Sequence, residues 1–249
     1  MRINVIAALA AAMAFQAPAK DNEVRLFVSN GVKAVMEELK PQCERAIGRP
    51  VVMEFGPTAA LKRRIEAGEA FDAAFLTMEA IDVLIQEGKL ASGTRAIVGR
   101  AAIGVAVRVG APKPDIKTPE GMKQTLLKMN SITYAKEGAS RADIVKMMDR
   151  LGIAADVKSK TLLPEESGQP QRNVEQGKSD LVMTLIPEIL PYHGIQLVGP
   201  LPPEFQNVQT FAASVAAKAD NAEAAKALIK FVTGPTAAPT FKAKGMEAH

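Results

Sequence analysis

Residues 24–77 read VRLFVSNGVKAVMEELKPQCERAIGRPVVMEFGPTAALKRRIEAGEAFDAAFLT, and the pattern of apolar residues in this segment predicts the fold class. Three runs rich in apolar and β-branched residues, Val24–Val28, Val51–Phe55 and Ala73–Leu76, are predicted strands. Between them apolar residues recur at helical spacing, and Gly48 is placed to end the first helix. This order predicts an α/β fold built from βαβ units, with mainly parallel sheets covered on both faces.

Cys43, the only cysteine, lies on the apolar stripe of the first predicted helix, where an inert core thiol is expected. Pro41 interrupts the same helix and is expected to kink it. One cysteine and two histidines exclude an internal disulfide and a multi-ligand zinc site. We therefore expect no metal and no cofactor.

The composition limits the kinds of partner that the protein could have. The 249 residues are 47% hydrophobic and 23% charged, with a net charge of +4, as in a soluble globular protein. Aromatic residues make up 4% and tryptophan is absent, and no basic block is present that would follow a nucleic-acid backbone. No nucleic-acid partner is expected, and we expect a monomer.

Residues 1–19 have the three parts of an export signal. Met1–Asn4 is a short basic start, Val5–Phe15 is an uncharged apolar run, and Ala17-Pro18-Ala19 supplies small residues for cleavage. The apolar run is too short to cross a bilayer, which takes about 20 residues. The sequence therefore predicts a cleaved signal peptide at residues 1–19 and a periplasmic location.

The remaining chain fits a plan of two lobes joined by strand-like crossovers near Ile103–Val107 and Val208–Ala212. The predicted boundaries are residues 20–100 plus 208–249 for lobe 1, and residues 101–207 for lobe 2. A single α/β domain is the alternative, because composition and periodicity do not separate the two plans.

Three predicted strands end in a small polar turn that opens a helix: Ser29-Asn30-Gly31, Gly56-Pro57-Thr58 and Gly138-Ala139-Ser140. In a parallel sheet these turns lie at the carboxyl edge, where ligands bind in open α/β folds. Each helix start offers free N–H groups and about half a positive charge, which suits an anion. At each turn, simple capping of the helix by the hydroxyl is the alternative.

Arg63, Arg64 and Arg141 are expected just inside two of these helices, where a cation opposes the helix dipole. A bound carboxylate would account for them, because its two oxygens match the guanidinium fork; a solvated surface charge is the alternative. Catalytic motifs such as G-x-S-x-G and H-E-x-x-H are missing, so no catalytic residue is assigned. Glu137 is a candidate acid or base, with an exposed loop charge as its alternative.

Residues 24–77 and three later segments together resemble the periplasmic molybdate-binding proteins of ABC importers. The later segments are KEGASRADIVKMMDRLGI at 136–153, QGKSDLVMTL at 176–185 and NAEAAKALIKFVTGPTAAPTFKAKGMEA at 221–248. The resemblance implies a two-lobed type II periplasmic-binding-protein fold, or venus flytrap, with an oxyanion site between the lobes. It also implies that a small anionic ligand is delivered to the membrane permease of an ABC importer.

The resemblance places Thr58 at the family's second ligand-binding serine, and places Ala139 and Ser140 where backbone N–H groups reach the anion. An ungapped match puts the family's first serine at Gly31 and its tyrosine at Leu185. The expected ligand-binding residues are Ser29, Asn30, Gly31, Thr58, Ala139, Ser140, Arg141 and Thr184.

A second function remains open, because the segments SNGVKAV, KEGAS and LVGPLPPE resemble a divergent branch of the same family. That branch also resembles aconitate isomerase, which implies an enzyme that interconverts trans- and cis-aconitate. Such an enzyme needs a general base near the acidic carbon of its substrate. A receptor that senses its ligand without transporting it is a third possibility.

Overall fold

The computed structural model describes residues 22–248, within which strands and helices alternate. The signal peptide predicted at residues 1–19 lies outside the described residues. The strands are β1 (Val24–Ser29), β2 (Val51–Gly56), β3 (Ala73–Thr77), β4 (Ala96–Ala101), β5 (Ile103–Arg108), β6 (Ile132–Thr133), β7 (Thr161–Leu162), β8 (Leu181–Leu185), β9 (Ile195–Pro200), β10 (Gln209–Val215) and β11 (Met246–Ala248). The helices are α1 (Asn30–Ile47), α2 (Thr58–Glu66), α3 (Met78–Gln86), α4 (Pro119–Lys128), α5 (Arg141–Arg150), α6 (Ala154–Lys158), α7 (Gln169–Glu175), α8 (Ile186–Ile189), α9 (Ala222–Val232) and α10 (Ala238–Ala243).

The first sheet has the strand order β11-β4-β10-β3-β1-β2. Strand β1 pairs in parallel with β2 and with β3, so the predicted βαβ units of residues 24–77 are confirmed. Both faces of β1 are covered, because Leu26 and Val28 join the core cluster that contains α1, whereas Phe27 joins a second cluster with α2 and α3. Each such fully buried side chain stabilises the fold by about 1.5–3 kcal/mol.

Helix α1 buries the predicted apolar stripe, including Cys43, against the first sheet. Burial raises the pKa of the Cys43 thiol to about 12, as expected for an inert core cysteine. The helix continues through Pro41, because packing of the stripe outweighs the cost of about 3 kcal/mol for an interior proline. Gly48 ends the helix in the left-handed conformation and donates its N–H to the Glu44 carbonyl.

The second sheet has the order β7-β6-β8-β5-β9. Strand β6 is parallel to β7 and β8, but β5 is antiparallel to both β8 and β9. In the first sheet, β10 is likewise antiparallel to β3 and β4. The predicted α/β fold is confirmed, but both sheets are mixed rather than mainly parallel. The antiparallel pairs involve the strands next to the connections between sheets, and hydrophobic periodicity does not reveal strand direction.

The chain passes between the two sheets at two places. Ala102 alone separates β4 from β5, and residues 201–208 connect β9 to β10. The strands expected at the crossovers, near Ile103–Val107 and Val208–Ala212, begin at these two connections. The first sheet therefore contains strands from residues 24–101 and 209–248, and the second contains strands from residues 103–200.

Candidate ligand cavity between the two sheets

A cavity of about 240 Å³ lies between the two sheets, with walls from both. On the side of the first sheet, the wall is formed by Asn30, Lys33, Ala34 and Glu37 of α1 and by Pro57 before α2. The side of the second sheet contributes residues from the loops before α5 and α7, from α7, β8 and α8, and from the turn after α8. These are Ala135, Glu137, Gly138, Glu165, Glu166, Ser167, Gly168, Pro170, Gln171, Arg172, Thr184, Pro187, Glu188, Pro191 and Tyr192.

Two of the predicted ligand residues, Asn30 and Thr184, line this cavity. The Asn30 amide donates to the Ser167 hydroxyl over 2.9 Å, which joins α1 to the loop before α7. Thr184, which is 3% exposed, donates its hydroxyl hydrogen bond to the Glu188 carboxyl group. The cavity therefore lies where β1 is followed by α1 and where β8 is followed by α8.

Ser29 and Thr58 lie next to the cavity and bond to each other. The Thr58 hydroxyl donates to the Ser29 hydroxyl oxygen over 3.0 Å, which connects the starts of α1 and α2. Within residues 22–248, neither Ser29 nor Ser140 makes a side-chain capping bond to its own helix. The alternative of simple capping is therefore wrong for these two serines.

Gly31 and Leu185, the two departures from the family pattern, meet each other between the sheets. A Cβ atom at Gly31 would lie 2.3 Å from Cζ of Phe211 and 2.9 Å from Cδ1 of Leu185. All three residues are buried. The space at the start of α1 is thus filled by apolar side chains, and a side chain at position 31 has no room.

The predicted residues at the start of α5 lie at the edge of the cavity. Ala139 and Arg141 line a separate open depression on the surface, together with Lys146 and Asp149. Ser140 is buried, and Arg141 is exposed. Their neighbours Glu137 and Gly138 line both the depression and the cavity.

The arginines of α2 have partners within the protein. Arg63 bonds to Glu137 over 2.8 Å and so connects α2 to the loop before α5; this bond lowers the pKa of the Glu137 carboxyl group. Arg64 bonds to Glu54 and Glu69 and lies 4.4 Å from the centre of the Phe27 ring. The predicted position of both in a first turn is wrong, because α2 ends at Glu66 and they occupy its last turn, where cations are favourable.

Among the described residues, every charged side chain of the cavity wall except Glu188 has a partner of opposite charge, either in the wall or beside it. Lys33 approaches Glu37 to 3.7 Å, and Arg172 approaches Glu166 to 2.6 Å. Glu165 is held by Lys136 at 2.6 Å, as Glu137 is by Arg63. An anion in the cavity would therefore be held by backbone N–H groups, hydroxyls and amides. The cations around it already have carboxylate partners, which balance their charge.

Glu188 is a cavity residue that the sequence did not predict, and within residues 22–248 no cation pairs with it. Burial raises the pKa of its carboxyl group, and hydrogen bonds from Thr184 and from the Leu185 backbone partly oppose this shift. In the sequence, a glutamate that follows an apolar strand gives no indication that it is buried or that its pKa is raised. Its position depends on the packing of α8 against α1, which is a tertiary contact.

In the described range no group of three or more His, Cys, Asp or Glu side chains is arranged to hold a metal ion. Among the helices of residues 22–248, none has both the length and the apolar character that crossing a membrane requires.

Two sheets, two connections and a cavity between them define the two-lobed class of ligand-binding proteins. The profile of the bacterial extracellular solute-binding protein family matches residues 24–247. The chain therefore belongs to this family.

The chain is similar to two characterised types of protein. An aconitate isomerase from Pseudomonas sp. is 27% identical over 226 residues, which cover 88% of this chain and 85% of the enzyme. A molybdate-binding protein from Azotobacter vinelandii is 27% identical over 231 residues, covering 90% and 89% of the two chains. The solved periplasmic molybdate-binding protein of A. vinelandii superimposes with a TM-score of 0.73 at 17% identity, covering 91% of this chain and 99% of that one. The predicted resemblance and the fold are confirmed.

Proposed function

We propose that this protein is an extracytoplasmic receptor that captures a small anion between its lobes and delivers it to an ABC importer. The observation that carries the proposal is the cavity between the sheets, which Asn30 and Thr184 line beside the starts of α1 and α2. Helix starts and hydroxyls stabilise an anion through partial positive charge and hydrogen bonds. Family membership and the molybdate-binding relatives support the same function.

The organisation of the chain belongs to this proposal. Residues 1–19 serve as a signal peptide that directs the protein to the periplasm. Residues 20–100 with 208–249 form lobe 1, and residues 101–207 form lobe 2. The lobes turn about the two connections between the sheets and close on the ligand, after which the protein, as a monomer, meets the permease. Two contacts support closure across the cavity, the Asn30–Ser167 hydrogen bond and the Arg63–Glu137 ion pair.

A thermal-shift screen tests the proposal with molybdate, tungstate, sulfate, citrate, and trans- and cis-aconitate. A ligand at about 100 times its Kd stabilises the folded state by about 2.7 kcal/mol. For a chain of this size that corresponds to a rise of about 5–10 °C in Tm. The T184V variant, which loses a cavity hydroxyl, should show a smaller rise. If none of these anions raises the Tm, the proposal is wrong.

A second candidate is an isomerase that interconverts trans- and cis-aconitate. It is favoured by the aconitate isomerase relative and by Glu188, a carboxylic acid with a raised pKa in the cavity wall. The reaction removes one proton from carbon and returns one, so it requires a base and an acid. Glu137 is a weak candidate for the base because Arg63 lowers its pKa. Conversion of trans- to cis-aconitate, monitored by absorbance, distinguishes the enzyme from the receptor.

A further inference from the structure

We propose that Glu188 is a specificity-determining residue of the cavity, which as a neutral carboxylic acid donates a hydrogen bond to an anionic oxygen of the ligand. This inference rests on the proposed function. Glu188 lies on α8, directly after β8, and lines the cavity with Thr184 and Tyr192. It therefore contacts the same space as Asn30, which approaches from the first sheet.

The carboxyl group of Glu188 already accepts hydrogen bonds on its protein side. The Thr184 hydroxyl donates to Oε2, and the Leu185 backbone N–H also donates to the carboxyl group. In addition, the Gln171 amide donates to the Glu188 backbone carbonyl over 3.1 Å, which fixes this residue against α7. A protonated carboxyl group has one O–H donor, and in this proposal that O–H donates to the ligand.

The charges around Glu188 favour the neutral form. Among the described residues no cation lies within ion-pair distance of its carboxylate, whereas the cavity glutamates Glu37, Glu165 and Glu166 each have one. Burial without a counter-charge raises the pKa of a carboxyl group, which agrees with the direction found for Glu188. A neutral acid adds no negative charge to a cavity that is to hold an anion.

The titratable groups on the elements around α8 are few. Helix α1 brings Lys33 and Glu37 to the cavity, and α7 brings Arg172. Tyr192 follows α8 and has a raised pKa, caused mainly by burial. Strands β8 and β9 carry no charged residue, and β5 carries only Arg108, which lines a different depression. Exposed His193 follows Tyr192 in the chain. A pH effect on binding therefore has to be compared with that of a variant that lacks this histidine.

The size of the cavity agrees with a ligand that reaches from Asn30 to Glu188. One water molecule needs about 10–15 Å³ of such space. A cavity of about 240 Å³ therefore has room for an anion larger than a tetrahedral oxyanion of five heavy atoms. An O–H donor opposite a carboxylate or oxyanion oxygen makes a short, charge-assisted hydrogen bond.

The test is the pH dependence of Kd for trans-aconitate, citrate and molybdate, measured by calorimetry where each probe stays fully ionised. In the wild type, Kd should rise roughly tenfold per pH unit once Glu188 ionises, since only the protonated form binds. E188Q keeps an N–H donor but does not titrate, so its Kd should be independent of pH. T184V removes a bond that lowers the Glu188 pKa, so it should move the rise in Kd to higher pH.

H193N is the matched control and should retain the pH dependence of the wild type. A wild-type Kd without pH dependence, or the same dependence in E188Q, would overturn the proposal. ¹³C NMR of the glutamate carboxyl groups, with E188Q to assign the signal, tests the protonation state without any ligand. A Glu188 carboxyl that is ionised at neutral pH also overturns the inference while leaving the proposed function standing. If no probe binds the wild type, both proposals fail.

Discussion

Adding a side chain at Gly31 should destabilise the protein, because the start of α1 lies against Phe211 and Leu185. A Cβ atom there would be 2.3 Å from Cζ of Phe211, whereas carbon atoms in contact prefer about 3.5–4.0 Å. The Phe211 ring is 0% exposed and has no open space into which it could turn. Overpacking of this kind costs about 1–3 kcal/mol, so G31S should lower Tm by about 2–12 °C.

Urea unfolding of G31S, F211L and the double variant measures this effect. F211L removes the ring tip that a side chain at position 31 would strike, so the cost of G31S should fall by at least about 1 kcal/mol in that background. A34S, one turn along α1, adds a hydroxyl without a clash and should change stability by less than about 0.5 kcal/mol. The reasoning is refuted if G31S is as stable as the wild type, or if F211L leaves its cost unchanged.

Three further outcomes follow from the structure. Native Cys43 should not react with a disulfide reagent at pH 8 and should react on unfolding, because burial raises the pKa of its thiol to about 12; rapid native labelling would contradict this. Asp72 is 3% exposed and accepts hydrogen bonds from the backbone N–H groups of Arg25 and Asn221. D72A should therefore lower the free energy of unfolding in urea by about 2–4 kcal/mol. A decrease below about 1 kcal/mol would argue against this role of Asp72. The exposed Arg63–Glu137 pair joins α2 to the loop before α5 beside the cavity. R63M should therefore weaken anion binding by less than about fivefold in calorimetry, with high salt removing the difference. A loss of a hundredfold would mean that Arg63 contacts the ligand.

The sequence predicted the elements of residues 24–77 well, because local patterns determine them. The apolar stripe of α1, its end at Gly48 and the strands β1 to β3 follow from helical and strand periodicity. Strand direction in β5 and β10 does not follow in this way. The direction of these strands depends on how the chain crosses between the sheets. The spacing of apolar residues does not report that crossing.

The candidate site was predicted in part. Asn30 and Thr184 line the cavity. Asn30 directly follows β1 and Thr184 is the second-last residue of β8, so both lie at the edge of a sheet, where ligands bind. Glu188 and Tyr192 depend on the packing of α8 against α1, for which no local pattern exists. The positions of Arg63 and Arg64 were wrong because the length of α2 decides whether a residue lies in its first or last turn.

Binding of one small anion in the cavity between the sheets is what the proposed function requires. It can be measured by calorimetric titration of residues 20–249 with the anion that raises Tm most, in buffers of different ionisation enthalpy. We predict saturable binding of one anion per chain. Proton uptake should approach one per anion above the pH at which Glu188 ionises, and E188Q should abolish it. The absence of binding heat for every anion of the screen, together with unchanged Tm values, would contradict the account.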